Sequence, residues 1–112
     1  MDTTEKILGW METQVRNEEV IDPHKWVEAG ASLNILLGKE TDLLFDLQQE
    51  VAKVKIGYIE GGDSVAKAKV KTEASDAYKV AKKQEAKIER ITEAVRMSKV
   101  MARLKDGEYR GY

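Results

Sequence analysis

Apolar residues return along this chain at intervals of three and four. From Pro23 onward, Trp26, Gly30, Leu33, Leu37, Glu40, Leu44, Leu47, Val51, Val54 and Tyr58 are spaced alternately by four and three. That is the repeat of a helix presenting one continuous seam to a partner helix. Leu36 and Leu43 widen the seam. Two members depart from the rule: Gly30 leaves a notch, and Glu40 sets a carboxylate among leucines. Asp22 as N-cap and Pro23 at the first helical position supply the start signal. The spacing predicts a helix over 23–60, about 55 Å long at 1.5 Å per residue.

A second seam follows the Gly61-Gly62 pair. Val70, Ala74, Ala77, Ala81, Gln84, Ile88, Ile91, Val95, Ser98 and Ala102 repeat the same alternation, which predicts a helix over 64–105 capped by Asp63 or Ser64, unbroken until Gly107. Its first half is filled by alanine. Small residues let helix axes approach, and bulky side chains of the facing helix fill the groove. An antiparallel hairpin sets Ala74–Ala81 against Val51, Leu47 and Leu44, large against small, with 61–63 as the turn. Ahead of these, Ile7, Leu8, Met11 and Val15 form a stripe that predicts a short helix over 4–19, capped by Asp2 or Thr3 with Glu5 in its first turn. A further stripe, Ala94, Met97, Met101 and Leu104, gives that helix a place to dock, with Trp10 near the Gly30 notch. The expected fold class is all-α: a long, coiled-coil-like antiparallel two-helix hairpin with a short N-terminal helix packed near one end. Residues 1–112 form a single helical domain in this reading, with a tail over 106–112.

Composition agrees with long helices. Charged residues make up 35% and aromatics only 6%, with one Pro and no Cys. The absence of cysteine removes disulfides, thiolate nucleophiles and cysteine zinc sites. No apolar run is long enough to span a bilayer, and the acidic start MDTTEKILGW is unlike the basic start of a signal peptide, so a cytoplasmic protein is expected. The net charge of −1 conceals a split. Residues 1–63 hold 6 Lys/Arg against 13 Asp/Glu, net −7, and residues 64–105 hold 12 against 5, net +7. An acidic helix beside a basic one attracts along its length, and the same asymmetry fits an external charged partner.

The candidate chemistry is one of surfaces. Lys79, Lys83, Lys87 and Arg90 fall at i, i+4, i+8 and i+11, a solvent-facing basic row that can follow a phosphate backbone. Lys67, Lys69 and Lys71 add charge near the turn, while Asp76, Glu85, Glu89 and Glu93 interrupt the surface. A two-helix hairpin buries little area for its length. Leu36, Glu40 and Leu43 are therefore expected at a partner or oligomer interface, Glu40 also being suited to fixing helix register. Tyr109 and Tyr112, in the tail DGEYRGY, are expected as docking aromatics. His24 is the only histidine and has no constellation around it, so no catalytic residue, metal site, cofactor or small-molecule substrate is expected.

The stretches AKAKVKTEASDAYKVAKKQEAKIERITEAVRMSK and LNILLGKETDLLFDLQQEVAKVK, over residues 26–105, resemble small helical proteins encoded in bacteriophage genomes, often near replication and recombination genes. The resemblance implies accessory status and carries no activity over. The expected role is a non-enzymatic, phage-encoded helical interaction module with a protein partner or self-association. Two alternatives stand beside it: a nucleic-acid-binding replication or recombination accessory protein using the last helix, and an inhibitor of a host defence system.

Overall fold

A computed structural model describes residues 2–17 and 23–109. It contains four helices, α1 (Thr3–Asn17), α2 (Pro23–Glu60), α3 (Val65–Glu73) and α4 (Asp76–Tyr109), and no strand among the described residues. The two long helices α2 and α4 pack against each other as an all-α hairpin. Asp2 is the cap of α1: Glu5 N–H donates to its Oδ1 at 2.8 Å and Lys6 N–H to its carbonyl at 3.1 Å. Asp22, expected to cap α2, lies outside the described residues, as do positions 18 and 19.

The reversal after α2 follows from one glycine. Gly62 has φ +105°, a conformation in which a Cβ is strained. Around it Gly62 N–H donates to Ile59 O and Asp63 N–H to Tyr58 O, each at 3.1 Å. These two bonds satisfy carbonyls that the helix end would otherwise leave open, as in a Schellman motif. Ser64 then caps α3, its hydroxyl accepting from Lys67 N–H. Asp63 sits inside the turn, 2.8 Å from Lys71 Nζ and 4.0 Å from Lys67 Nζ. Lys71 also lies 5.4 Å from the Tyr58 ring centroid.

The helix expected to run unbroken over 64–105 is two helices. Ala74 closes α3, and Ser75 begins α4: its hydroxyl donates to Thr72 O at 2.5 Å and accepts from Tyr78 N–H at 3.3 Å. The two residues of the link shift the phase of the seam. Counting back seven from the buried Ala81 gives Ala74, which is exposed; two residues earlier, Thr72 is buried, and Ala68 with it. Val70, expected on the seam, is 69% exposed. From Ala81 onward the expected seam holds, with Gln84, Ile91 and Ser98 buried. At its far end α4 continues through Gly107, expected as its stop, to Tyr109.

The chain divides into two compact units, Met1–Gly38 with Glu89–Tyr112, and Lys39–Ile88. The first has a three-helix core. Trp26, Leu33 and Ile91 are wholly buried together with Met11 and Ala94, and Ile7, Leu8, Trp10, Leu37, Val95, Met101 and Ala102 pack around them. Burying such side chains stabilises by about 1.5–3 kcal/mol each. Of the docking stripe expected for α1, Ala94 and Met101 join this core, while Met97 and Leu104 remain exposed. The Trp10 ring packs on Trp26, with centroids 5.2 Å apart and planes tilted by 55°, rather than in the Gly30 notch. Ser98 of α4 occupies the notch instead: a Cβ on Gly30 would overlap Ser98 Oγ and lie 3.0 Å from Ser98 Cβ.

The second unit is thinner. Its buried residues are Ala68, Thr72, Ala81 and Gln84, all on α3 and α4, while Leu44, Leu47, Val51, Val54 and Tyr58 of α2 are only half-buried. Two helical layers without a third element cannot enclose a large side chain on every side.

The Gly30–Ser98 approach makes opposite predictions for two glycines. Gly30→Ala gains about 1 kcal/mol of helix propensity but forces overlap that rotating Ser98 does not relieve, since its Cβ is itself too close. A net loss of about 1–2 kcal/mol is expected on denaturant unfolding. Gly57→Ala meets nothing within 4 Å and is expected to stabilise by about 0.5–1 kcal/mol. Equal shifts for the two would place Gly30 away from the helix contact.

Candidate interaction surface

Within the second unit, a polar cluster crosses the hairpin seam. Gln84 Nε2 donates to the Glu40 carbonyl at 2.9 Å and to Glu40 Oε2 at 2.6 Å, while Lys87 Nζ lies 3.0 Å from Glu40 Oε1. The Glu40 and Lys87 side chains are 14% and 19% exposed, and Gln84 is buried. Both oxygens of the Glu40 carboxylate have a partner, which is what makes a seam carboxylate tolerable. Glu40 therefore faces α4 of its own chain, not an outside partner. Fixing register is the job this geometry suits.

The same contact revises the basic row. Lys79, Lys83 and Arg90 are exposed, but Lys87 turns inward to Glu40 and leaves the solvent-facing set. Near the turn, Lys67 and Lys71 are held by Asp63. Lys82, which the spacing passed over, lies 5.4 Å from the Tyr78 ring centroid and 3.1 Å from Glu85 Oε2. The hydrogen bond and charge of Glu85 hold its ammonium above the ordinary lysine range, so it stays cationic. Arg96 is paired with Glu93 at 2.6 Å. Much of the positive charge in this half of the chain is thus answered by carboxylates on the chain itself.

Of the other expected interface residues, Leu36 is half-buried and Leu43 is 45% exposed. Tyr109 ends α4, and Tyr112 lies outside the described residues. Exposed large apolar side chains also stand elsewhere. On the face of α2 turned away from the seam, Phe45 is 61%, Ile56 53% and Ile59 38% exposed. With the exposed Gln49 and Ala52 they recur at intervals of four, three, four and three. That second seam has the spacing of the first and was hidden by it.

Other concave features are modest. In the first unit an open groove of about 370 Å³ runs between α1 and α2, floored by Ile7, Trp10 and Ala29 and edged by Lys6, Lys25 and Glu28. No group of three or more His, Cys, Asp or Glu side chains able to hold a metal ion occurs among the described residues. No helix of the described residues is long and apolar enough to cross a membrane. No family model matches this chain, and neither does any curated protein or solved structure.

The seam cluster is testable by a double-mutant cycle with Glu40→Ala and Lys87→Ala. Each single change strands a partly buried group, so the two should not add; a coupling of about 1–2 kcal/mol is expected in unfolding free energy. Additive effects would mean that the pair is no more than a surface contact, for which about 0–1 kcal/mol is usual.

Proposed function

We propose that this chain is a non-enzymatic helical interaction module that works through the outer face of α2. The observation that carries this reading is the heptad-spaced row Phe45, Ile56 and Ile59, large apolar side chains 38–61% exposed on a helix whose inner face is already engaged. Large apolar side chains left exposed along one helix face, here with Gln49 and Ala52 between them, fit a site of association. The resemblance to small bacteriophage proteins fits an accessory role that acts by occupying a partner.

The nucleic-acid reading keeps Lys79, Lys83 and Arg90 on the surface, but it loses the half-buried Lys87 to Glu40. A tract that must release counterions from phosphates needs its cations available. The reading as an inhibitor of a host defence system is one form of the interaction module and adds a partner class without a further observation.

The test is capture by the immobilised chain from a bacterial lysate, run beside a Phe45→Glu/Ile56→Glu variant whose helicity is checked by circular dichroism. The wild-type chain is expected to retain a defined protein, itself included, that the variant loses. Equal retention by both, or none by either, contradicts the proposal.

A further inference from the structure

The outer row of α2 carries a code on its flank. Beside Phe45, Gln49, Ala52, Ile56 and Ile59 run Lys39, Asp46, Lys53 and Glu60, spaced by seven and all exposed. Their signs alternate: plus, minus, plus, minus. Positions flanking a heptad seam set partner choice and orientation through their charges, so this alternation restricts what can lie on the face. The row and its flank belong to the second unit, Lys39–Ile88.

We propose that the occupant of this face is a second copy of the same chain, docked through α2 in antiparallel orientation. The inference rests on the interaction-module reading and names its partner. When two copies of 39–60 run antiparallel about an axis between Gln49 and Ala52, Phe45 meets Ile56 of the second copy, Ala52 meets Gln49, and Ile59 falls at the edge of the contact beside Asp42. The same register brings Asp46 opposite Lys53 and Lys39 opposite Glu60, each twice because the two-fold axis repeats every contact. All four flank pairs are of opposite sign. Ala52 near the axis lets the backbones approach, and the large side chains fall on either side of it. A parallel pair offers less: Asp42, at the edge of the row, would stand beside its own copy, Asp46 and Lys53 would face Thr41 and Gln48, and of these flank residues only Glu60 would meet a charge of opposite sign, Lys55. Lys53 is engaged with Glu50 at 3.1 Å, but both side chains are more than 60% exposed. Such a pair is worth little in water and yields readily to a partner.

Sedimentation equilibrium of the full chain tests this over about 1 µM to 1 mM, a span that brackets weak helix pairing. The mass is expected to rise from 12.6 kDa toward twice that value. Ile56→Asp, at an exposed site, should leave helicity intact and weaken the dimer at least tenfold. Asp46→Lys alone and Lys53→Asp alone each set like charges together and should weaken it. The double change Asp46→Lys/Lys53→Asp should restore it, and mixing the two single variants should give a heterodimer tighter than either homodimer. A monomer throughout overturns the proposal, and so does a dimer indifferent to Ile56→Asp. A dimer whose two single variants show no preference for each other overturns the antiparallel pairing. A monomer that still captures another protein through Phe45 and Ile56 overturns the second copy as occupant while the interaction reading stands.

Discussion

The structure depends on one constraint: a helix bearing a bulky seam must lie close against a helix bearing a small one. In the second unit, α2 brings the bulky Leu44, Leu47 and Val51 to the seam, while the buried residues of α3 and α4 are the small or polar Ala68, Thr72, Ala81 and Gln84. At Gly30 the fit allows no added atom, since Ser98 stands where a Cβ would go. Register is then set from two sides. The turn at Gly62 commits Tyr58 to Asp63 and Lys71, and the Glu40 cluster ties the seam to Gln84 and Lys87. A slip by one turn would break the charge pairing and leave Gln84 buried without Glu40, a penalty of about 1–3 kcal/mol for the stranded group alone.

The two units meet that constraint unequally. In the first unit α1 supplies a third layer, and Trp26, Leu33 and Ile91 lose all contact with water. In the second unit α3 and α4 follow one another along a single layer against α2, the α2 seam side chains are half-buried, and apolar residues appear on the outer face as well. Small two-layer folds are marginal by themselves. The proposed association would add burial to this unit, and the alternating flank from Lys39 to Glu60 is the basis for its proposed direction.

The hairpin was legible because three independent signals agree. The heptads of α2, the small residues of α4 and the Gly61-Gly62 reversal each specify the same pairing, and such consistency across levels makes a fold readable. The break at Ala74 and Ser75 escaped because counting sevens assumes an uninterrupted helix, and alanine at 74 satisfies the count. The local signal was present: Ser75 followed by Asp76 is a cap with an acid in the first turn. Lys87 was misread for a related reason. Its spacing from Lys79 and Lys83 is helical, but only the facing Glu40 reveals which side of the row turns inward. Trp10 found Trp26 rather than Gly30 because Ser98, though on the expected seam, is small enough to fill the notch itself. The outer row of α2 was overlooked because a strong first seam accounts for the helix without it; Phe45 and Ile56 on the far side needed a second count.

The most direct test of the account is an isotope-filtered NOE experiment on a mixture of labelled and unlabelled chains. Contacts between the Gly30 α-protons and the Ser98 β-protons should be strong and should arise within one chain, which is what a closed hairpin requires. The same contacts appearing between labelled and unlabelled chains would mean that α2 and α4 pair across molecules, and the hairpin at the centre of this account would be wrong.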